Sequence, residues 1–395
     1  MPAQRVSFHN GKHDLAGRLH LPAGPARAWA VFAHCFTCSK DLRAAREIAE
    51  ALAGRGVGVL RFDFSGLGQS EGDFADSTFS TDVGDLVAAA NWLTAEHAAP
   101  TLLVGHSLGG AAVLKAAVQL PSVRAVATVG APAEPAHATH LFEEHEETIR
   151  TDGQATVELA GRPFVISEAL LADLEEQSIA SCISGLRRAL LVLHSPQDNT
   201  VGIEQARHIY EAARHPKIFV TLDGADHLLT EPADARYAGQ VIATWAERYL
   251  GDPVDVATHG DDVEVRGGRF GLAQQIVARG AHHLRADEPI GIGTDTGPTP
   301  YELLLAGLGA CTSMTMRMYA DRKGWPLEEA VVHLKHSKQH ATDAAKGAKI
   351  DVIDKEIELR GDLDATQRAR LLEIADRCPV HRTLHSDVVI TTVER

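Results

Sequence analysis

Through the first 250 residues, short uninterrupted apolar runs alternate with amphipathic stretches of helical length. The runs are Ala30–His34, Val57–Phe64, Leu102–Gly105, Ala125–Val129, Ala189–His194 and Ile218–Leu222; the helical stretches are Asp41–Ala53, Thr81–Glu96, Leu108–Leu120, Ile203–Ala213 and Ala233–Leu250. A strand that is apolar on both faces must be covered on both. The pattern therefore predicts an α/β fold: a doubly wound, mostly parallel sheet with helices on either side. Val6–His9 and Gly17–Leu21, joined through Asn10-Gly11, predict an antiparallel hairpin at its edge. Residues 133–188 interrupt the rhythm with the acidic run Glu143–Glu147, a hairpin around Ala160-Gly161 and a helix near Ser167–Gln177. An insertion of this size between core strands reads as a lid, and the acidic run as a solvated helix face.

The pattern changes after Leu250. Residues 251–259 read as a linker between a domain at 1–250 and a second at 260–395. Strand-like pieces at Val263–Arg266, Ala273–Ala278 and His282–Arg285 precede an apolar helix over Tyr301–Arg322. Strands at Ala330–His336 and Ile350–Leu359, a helix at Ala365–Arg377 and a last strand at Val388–Val393 complete an α+β pattern.

The formal charge of −15 argues against nucleic acid as a partner, because phosphate binding needs clustered cations. No run approaches the roughly 18 apolar residues of a membrane span, and the first residues lack a basic segment followed by an apolar one. These features predict a cytoplasmic protein without membrane association. Five cysteines are too few for a disulfide-stapled scaffold. In a reducing compartment a working pair is catalytic rather than structural. No second ligand pair stands at zinc spacing, so neither a metal nor a cofactor is expected.

Gly105-His106-Ser107-Leu108-Gly109 fits Gly-x-Ser-x-Gly between an apolar strand and a helix, the context in which that motif presents a nucleophile above a sheet. A serine hydroxyl needs a base held by an acid. Asp198, beyond the strand Ala189–His194, and His227, after the following strand, supply them on the same rim of the sheet. Asp226 is the competing carboxylate, although it adjoins His227 and is awkwardly placed to orient the ring from below. The loop after the first internal strand offers the Phe36 amide, and the helix start offers the Leu108 amide, as an oxyanion hole.

With Ser107, His34-Cys35-Phe36 and Asp63-Phe64-Ser65-Gly66-Leu67-Gly68-Gln69-Ser70, residues 5–250 resemble the α/β-hydrolase superfamily. The resemblance implies a serine hydrolase acting on a small-molecule carboxylic ester. Cys35 stands where that family usually has Gly. Cys35-Phe36-Thr37-Cys38, lying between a strand and a helix, also has a redox reading as Cys-x-x-Cys.

Cys311 sits inside the apolar helix that follows Pro298-Thr299-Pro300-Tyr301-Glu302-Leu303-Leu304, and Cys378 opens Cys378-Pro379-Val380. A buried cysteine can be a plain core residue. Together, however, these segments make residues 260–395 resemble the OsmC/Ohr family. That resemblance implies a homodimer formed through this domain. It also implies, for peroxidase members, attack by Cys311 on an organic hydroperoxide, condensation with Cys378 and reset by a thiol reductant. Such members carry a Glu ten residues before the first cysteine, paired with an Arg. This chain has Tyr301 there and Glu302 one residue on, about 100° around the helix; Arg266, Arg269 and Arg279 are the candidate thiolate partners.

Overall fold

The computed structural model describes residues 3–22, 26–159, 161–250, 263–267, 271–279, 282–340 and 349–394; the linker expected at 251–259 lies outside them. The chain forms two compact units, Met1–His283 and Leu284–Arg395.

The first unit opens with β1 (Ala3–His9) and β2 (Asp14–His20), the expected edge hairpin, paired in register from Ala3↔His20 to His9↔Asp14. There follow β3 (Ala28–Ala33), α1 (Arg43–Gly54), β4 (Val57–Phe62), α2 (Phe79–Glu96), β5 (Leu102–His106), α3 (Leu108–Ala116) and β6 (Ala125–Val129). Between β6 and the next core strand lie a 3-10 stretch at Pro135–His145, α4 (Glu146–Asp152), the hairpin β7 (Gln154–Leu159) and β8 (Arg162–Ser167), α5 (Glu168–Glu176) and α6 (Ala180–Ser184). Then come β9 (Ala189–His194), α7 (Ile203–Ala212), β10 (Lys217–Thr221) and α8 (Pro232–Ala246).

The strands form one sheet in the order β1-β2-β4-β3-β5-β6-β9-β10, parallel from β4 onward. Successive side chains of a strand point to opposite faces. Accordingly Val31 joins an apolar cluster with α2, α3 and the insertion, while Ala30 and Phe32 join another with α1 and α8. Burial on both sides accounts for the uninterrupted apolar runs. Of the acidic run, Glu143, Glu144 and Glu147 are exposed; Glu146 and Glu175 bind Arg150.

Beyond these lie β11 (Val263–Gly267), β12 (Gln274–Ala278) and β13 (His282–Ala286), a three-stranded sheet. In the second unit, α9 (Pro300–Lys323) begins at a Thr299 capping box closed by Glu302 and ends at Gly324, whose φ of 65° suits glycine. The hairpin β14 (Glu329–His340) and β15 (Lys349–Arg360) runs in register from Glu329↔Arg360. α10 (Ala365–Ala375) closes a small core with Met316, Ala320, Leu327, Leu363 and Leu371, and a short α11 (Pro379–Leu384) follows. The strand expected at Val388–Val393 is not formed. These residues have strand composition, yet among the described residues no neighbouring edge pairs with them, and Val389 and Ile390 are 87% and 85% exposed. Composition alone makes no strand without a partner.

Candidate active site

β5 delivers the chain to Ser107 at a sharp elbow: its φ of 56° lies in the left-handed region, which a non-glycine residue occupies only when its surroundings enforce it. Close packing does the enforcing. A Cβ on Gly105 would come within 2.2 Å of the Gly109 carbonyl oxygen, and one on Gly109 within 2.3 Å of the His34 oxygen. Both glycines are therefore needed for α3 to start directly beneath the serine. The Ser107 amide is tied to the Val129 carbonyl at 2.8 Å.

The structure brings together three of the sequence candidates. His227 Nε2 lies 2.9 Å from Ser107 Oγ, and His227 Nδ1 lies 2.7 Å from Asp198 Oδ2. The other oxygen of Asp198 accepts from the Thr200 and Val201 amides at 2.9 and 2.8 Å. Burial pushes the Asp198 carboxyl up, but the bond and charge of His227 and these two amides outweigh it and hold Asp198 below the usual range. It stays an anion facing the imidazole. Asp226 accepts instead from the Thr230 amide at 2.9 Å and from its hydroxyl.

Phe36 and Leu108, whose amides are the oxyanion candidates, are both buried, and Leu108 follows Ser107 as the first residue of α3. The Phe36 ring packs on Phe74 and on Phe142 of the insertion, with centroids 5.5 and 6.5 Å apart. The Asp63 turn is built around a buried ion pair: Asp63 accepts from the Lys40 amide at 2.6 Å, from its ammonium at 2.5 Å and from the Gln69 amide at 2.9 Å. Gly68, with φ of 58°, leaves the room; a Cβ there would sit 2.2 Å from Asp63 Oδ2.

One feature escapes sequence reasoning. His106 is wholly buried, and its Nε2 lies 2.7 Å from the His227 carbonyl, so it bonds the loop that carries His227. Burial pushes its pKa down to about 3, so the ring is neutral and Nε2–H donates. Its place within Gly-x-Ser-x-Gly was visible; its partner, 121 residues away, was not. Cys35 and Cys38 are joined as a disulfide, in keeping with the redox reading of Cys-x-x-Cys.

In the second unit, Cys378 Sγ accepts from the His381 amide at 3.3 Å and lies 3.5 Å from Thr312 Oγ1. Burial pushes this thiol up, but hydrogen bonds with Thr312, the His381 amide and Cys311, and the charge of Lys355, leave it below the ordinary thiol value. Cys311 and Cys378 are thus neighbours. Tyr301 stacks on His336 at 4.3 Å, and Glu302 accepts from the Thr299 amide at 2.7 Å, so its carboxylate is spent on the helix cap. Arg266 pairs with Glu264, Arg279 bonds His282, and Arg269 lies outside the described residues. Among the described residues no helix is long and apolar enough to cross a membrane, and no three His, Cys, Asp or Glu converge to hold a metal ion.

The family profile described as serine aminopeptidase, S33, matches residues 24–160, and that of OsmC-like proteins matches residues 293–393. The esterase domain of a Rhodothermus marinus protein is 46% identical, is covered over its full length by 64% of this chain and superposes with a TM-score of 0.54. The chain is an α/β hydrolase joined to an OsmC domain. The hydrolase part is also 26% identical over 187 residues to the mouse mitochondrial palmitoyl-protein thioesterase ABHD10; the match spans 45% of this chain and 62% of that protein. A solved mouse alpha/beta hydrolase domain-containing protein 10 shares the fold at 20% identity, with 62% of this chain on 99% of it and a TM-score of 0.50. The α/β-hydrolase fold explains why Ser107, Asp198 and His227 converge: each follows the carboxyl end of a parallel strand, where an open sheet places its site.

Proposed function

We propose that the hydrolase part cleaves small carboxylic esters through an acyl-enzyme on Ser107. The observation that carries this reading is the unbroken relay Ser107 Oγ, His227, Asp198 at 2.9 and 2.7 Å. Ser107 Oγ attacks the ester carbonyl while His227 Nε2 takes its proton. The tetrahedral oxyanion faces the Phe36 and Leu108 amides. His227 then gives the proton to the leaving alcohol and accepts one from an incoming water as it attacks the acyl carbon; it returns that proton to Ser107 Oγ as the Ser107–acyl bond breaks and the acid departs. Asp198 keeps the Nδ1 proton in place and balances the imidazolium. The test is hydrolysis of short p-nitrophenyl esters: Ser107→Ala abolishes it, and retained activity in that variant overturns the assignment.

For the OsmC part we propose thiol-dependent reduction of organic hydroperoxides. The neighbouring Cys311 and Cys378, the latter with its thiol pulled down, favour it. Cys311 cleaves the O–O bond, giving an alcohol and a sulfenic acid; Cys378 displaces water to form a disulfide, and an external thiol reductant restores both thiols. Substrate-dependent disulfide formation that disappears in Cys311→Ser is the expected result. The proposed partner of this domain is a second copy of the chain, and the exposed Val388–Val393 segment is apolar surface for such pairing. The alternative role for the domain is dimerisation alone, with no oxidation of either cysteine by hydroperoxide.

A further inference from the structure

We propose that Cys35–Cys38 is a redox modification site that sets the activity of the serine centre, with small dithiols as its reductants. The inference rests on the hydrolase reading above.

The disulfide closes the four-residue turn that contains Phe36, whose amide faces the developing oxyanion in that reading. The Cys38 amide also donates to the Cys35 carbonyl at 3.1 Å, so the turn is tied twice. Both ends of this loop are anchored. At the start, the His34 carbonyl packs against Gly109 of the elbow, and His34 Nδ1 lies 2.7 Å from the Cys35 carbonyl. At the end, Lys40 is bonded through amide and ammonium to buried Asp63, and Arg61 donates to the Lys40 carbonyl. The same turn holds the insertion: Arg162 of β8 donates to the Thr37 carbonyl and lies 5.4 Å over the Phe164 ring, which packs on Phe74 at 5.1 Å. Phe74 in turn packs on Phe36.

Accessibility orders the chemistry. Cys35 is buried at 4% exposure, whereas Cys38 is partly exposed. A thiolate of the dithiol attacks Cys38 Sγ; the S–S bond breaks, and its electron pair leaves on Cys35, which takes up a proton. The second thiol of the dithiol then attacks the mixed disulfide and releases Cys38 as a thiol. Two electrons and two protons pass to the protein, and the dithiol becomes a cyclic disulfide. The two sulfurs must then separate from a bonded distance of about 2 Å to a van der Waals distance of roughly 3.5 Å. With His34 and Lys40 held, Phe36 and Thr37 absorb the movement. The displacement turns the Phe36 amide from the oxyanion and loosens the Arg162 contact. A misplacement of about 1 Å can cost on the order of 10²-fold in rate.

The test uses the full chain. The kcat for p-nitrophenyl acetate is measured before dithiothreitol, after it, and after reoxidation with oxidised dithiothreitol, while differential alkylation and mass spectrometry follow Cys35 and Cys38. The expected result is a fall of at least tenfold as both residues become alkylated, recovery on reoxidation, and no response in Cys35→Ala/Cys38→Ala. Should that variant not fold, the wild-type titration decides alone. A kcat indifferent to the state of the pair, alkylation of both residues before reduction, or a dithiol response that persists in the double variant overturns the proposal. Each run is compared with Ser107→Ala. Hydrolysis surviving there overturns the hydrolase reading and this proposal with it, whereas Ser107-dependent hydrolysis insensitive to the pair overturns this proposal alone.

Discussion

Asp226 adjoins His227 in the chain, yet its carboxylate is turned to Thr230, while Asp198 reaches the imidazole from 29 residues away. Adjacent side chains on a loop diverge, so the carboxylate nearest in sequence is poorly placed to orient the ring from below. Asp198→Asn keeps the shape but removes the anion that fixes the tautomer, and kcat for p-nitrophenyl acetate is expected to fall about 10³–10⁴-fold. Asp226→Asn is expected to change it less than about threefold, since an exposed local bond is worth little. Steady-state kinetics on both variants check the pair. Lys40 gives a prediction of another kind. It is 1% exposed and neutralises an Asp63 that is fully buried. Lys40→Met leaves that carboxylate without its cation, and breaking such a pair typically costs about 3–5 kcal/mol. Chemical denaturation measures the loss.

At the scale of elements, the alternation of strand and helix was legible because burial on both faces demands it: β6 and β9 occupy the residues that the apolar runs predict. The elbow was legible for the same reason, since Gly105 and Gly109 record a steric requirement that no other residue meets. Pairing was less legible. Val388–Val393 has strand composition but, among the described residues, no edge to join. The loop before α9 carried no signal at all, yet it is organised around one carboxylate. Asp287 is 2% exposed and accepts from the Glu288, Thr294 and Thr296 amides and from both threonine hydroxyls, at 2.6 to 3.2 Å. Burial pushes this carboxyl up, but those five donors outweigh it and bring its pKa from 3.8 down to about 2. Because the folded value lies below the unfolded one, the stabilisation is present in full above the unfolded value and lost as pH falls toward the folded one. It amounts to roughly 2 kcal/mol at neutral pH. Asp287→Asn is therefore expected to be less stable than the parent at pH 7 by about that much, with the gap closing near pH 2, as followed by urea unfolding at the two pH values.

At the scale of the whole chain, the residues proposed for each chemistry come from one unit apiece. Ser107, His227, Asp198 and the two oxyanion amides all come from the first, and Cys311, Cys378, Thr312 and the His381 amide from the second. A serine paired with an imidazole base needs no thiol for its attack, and a thiol attacks without an imidazole base. Separate losses follow. Ser107→Ala is expected to remove ester hydrolysis while the same preparation still consumes cumene hydroperoxide in the presence of dithiothreitol. Cys311→Ser is expected to do the reverse, with ester kcat, measured without dithiol, within about twofold of the parent, as befits a substitution outside that relay. Parallel assays on the two variants decide it. A Cys311→Ser chain that lost tenfold or more in ester kcat, with Cys35–Cys38 still oxidised, would mean that the thiol pair acts on the serine centre through the chain rather than beside it.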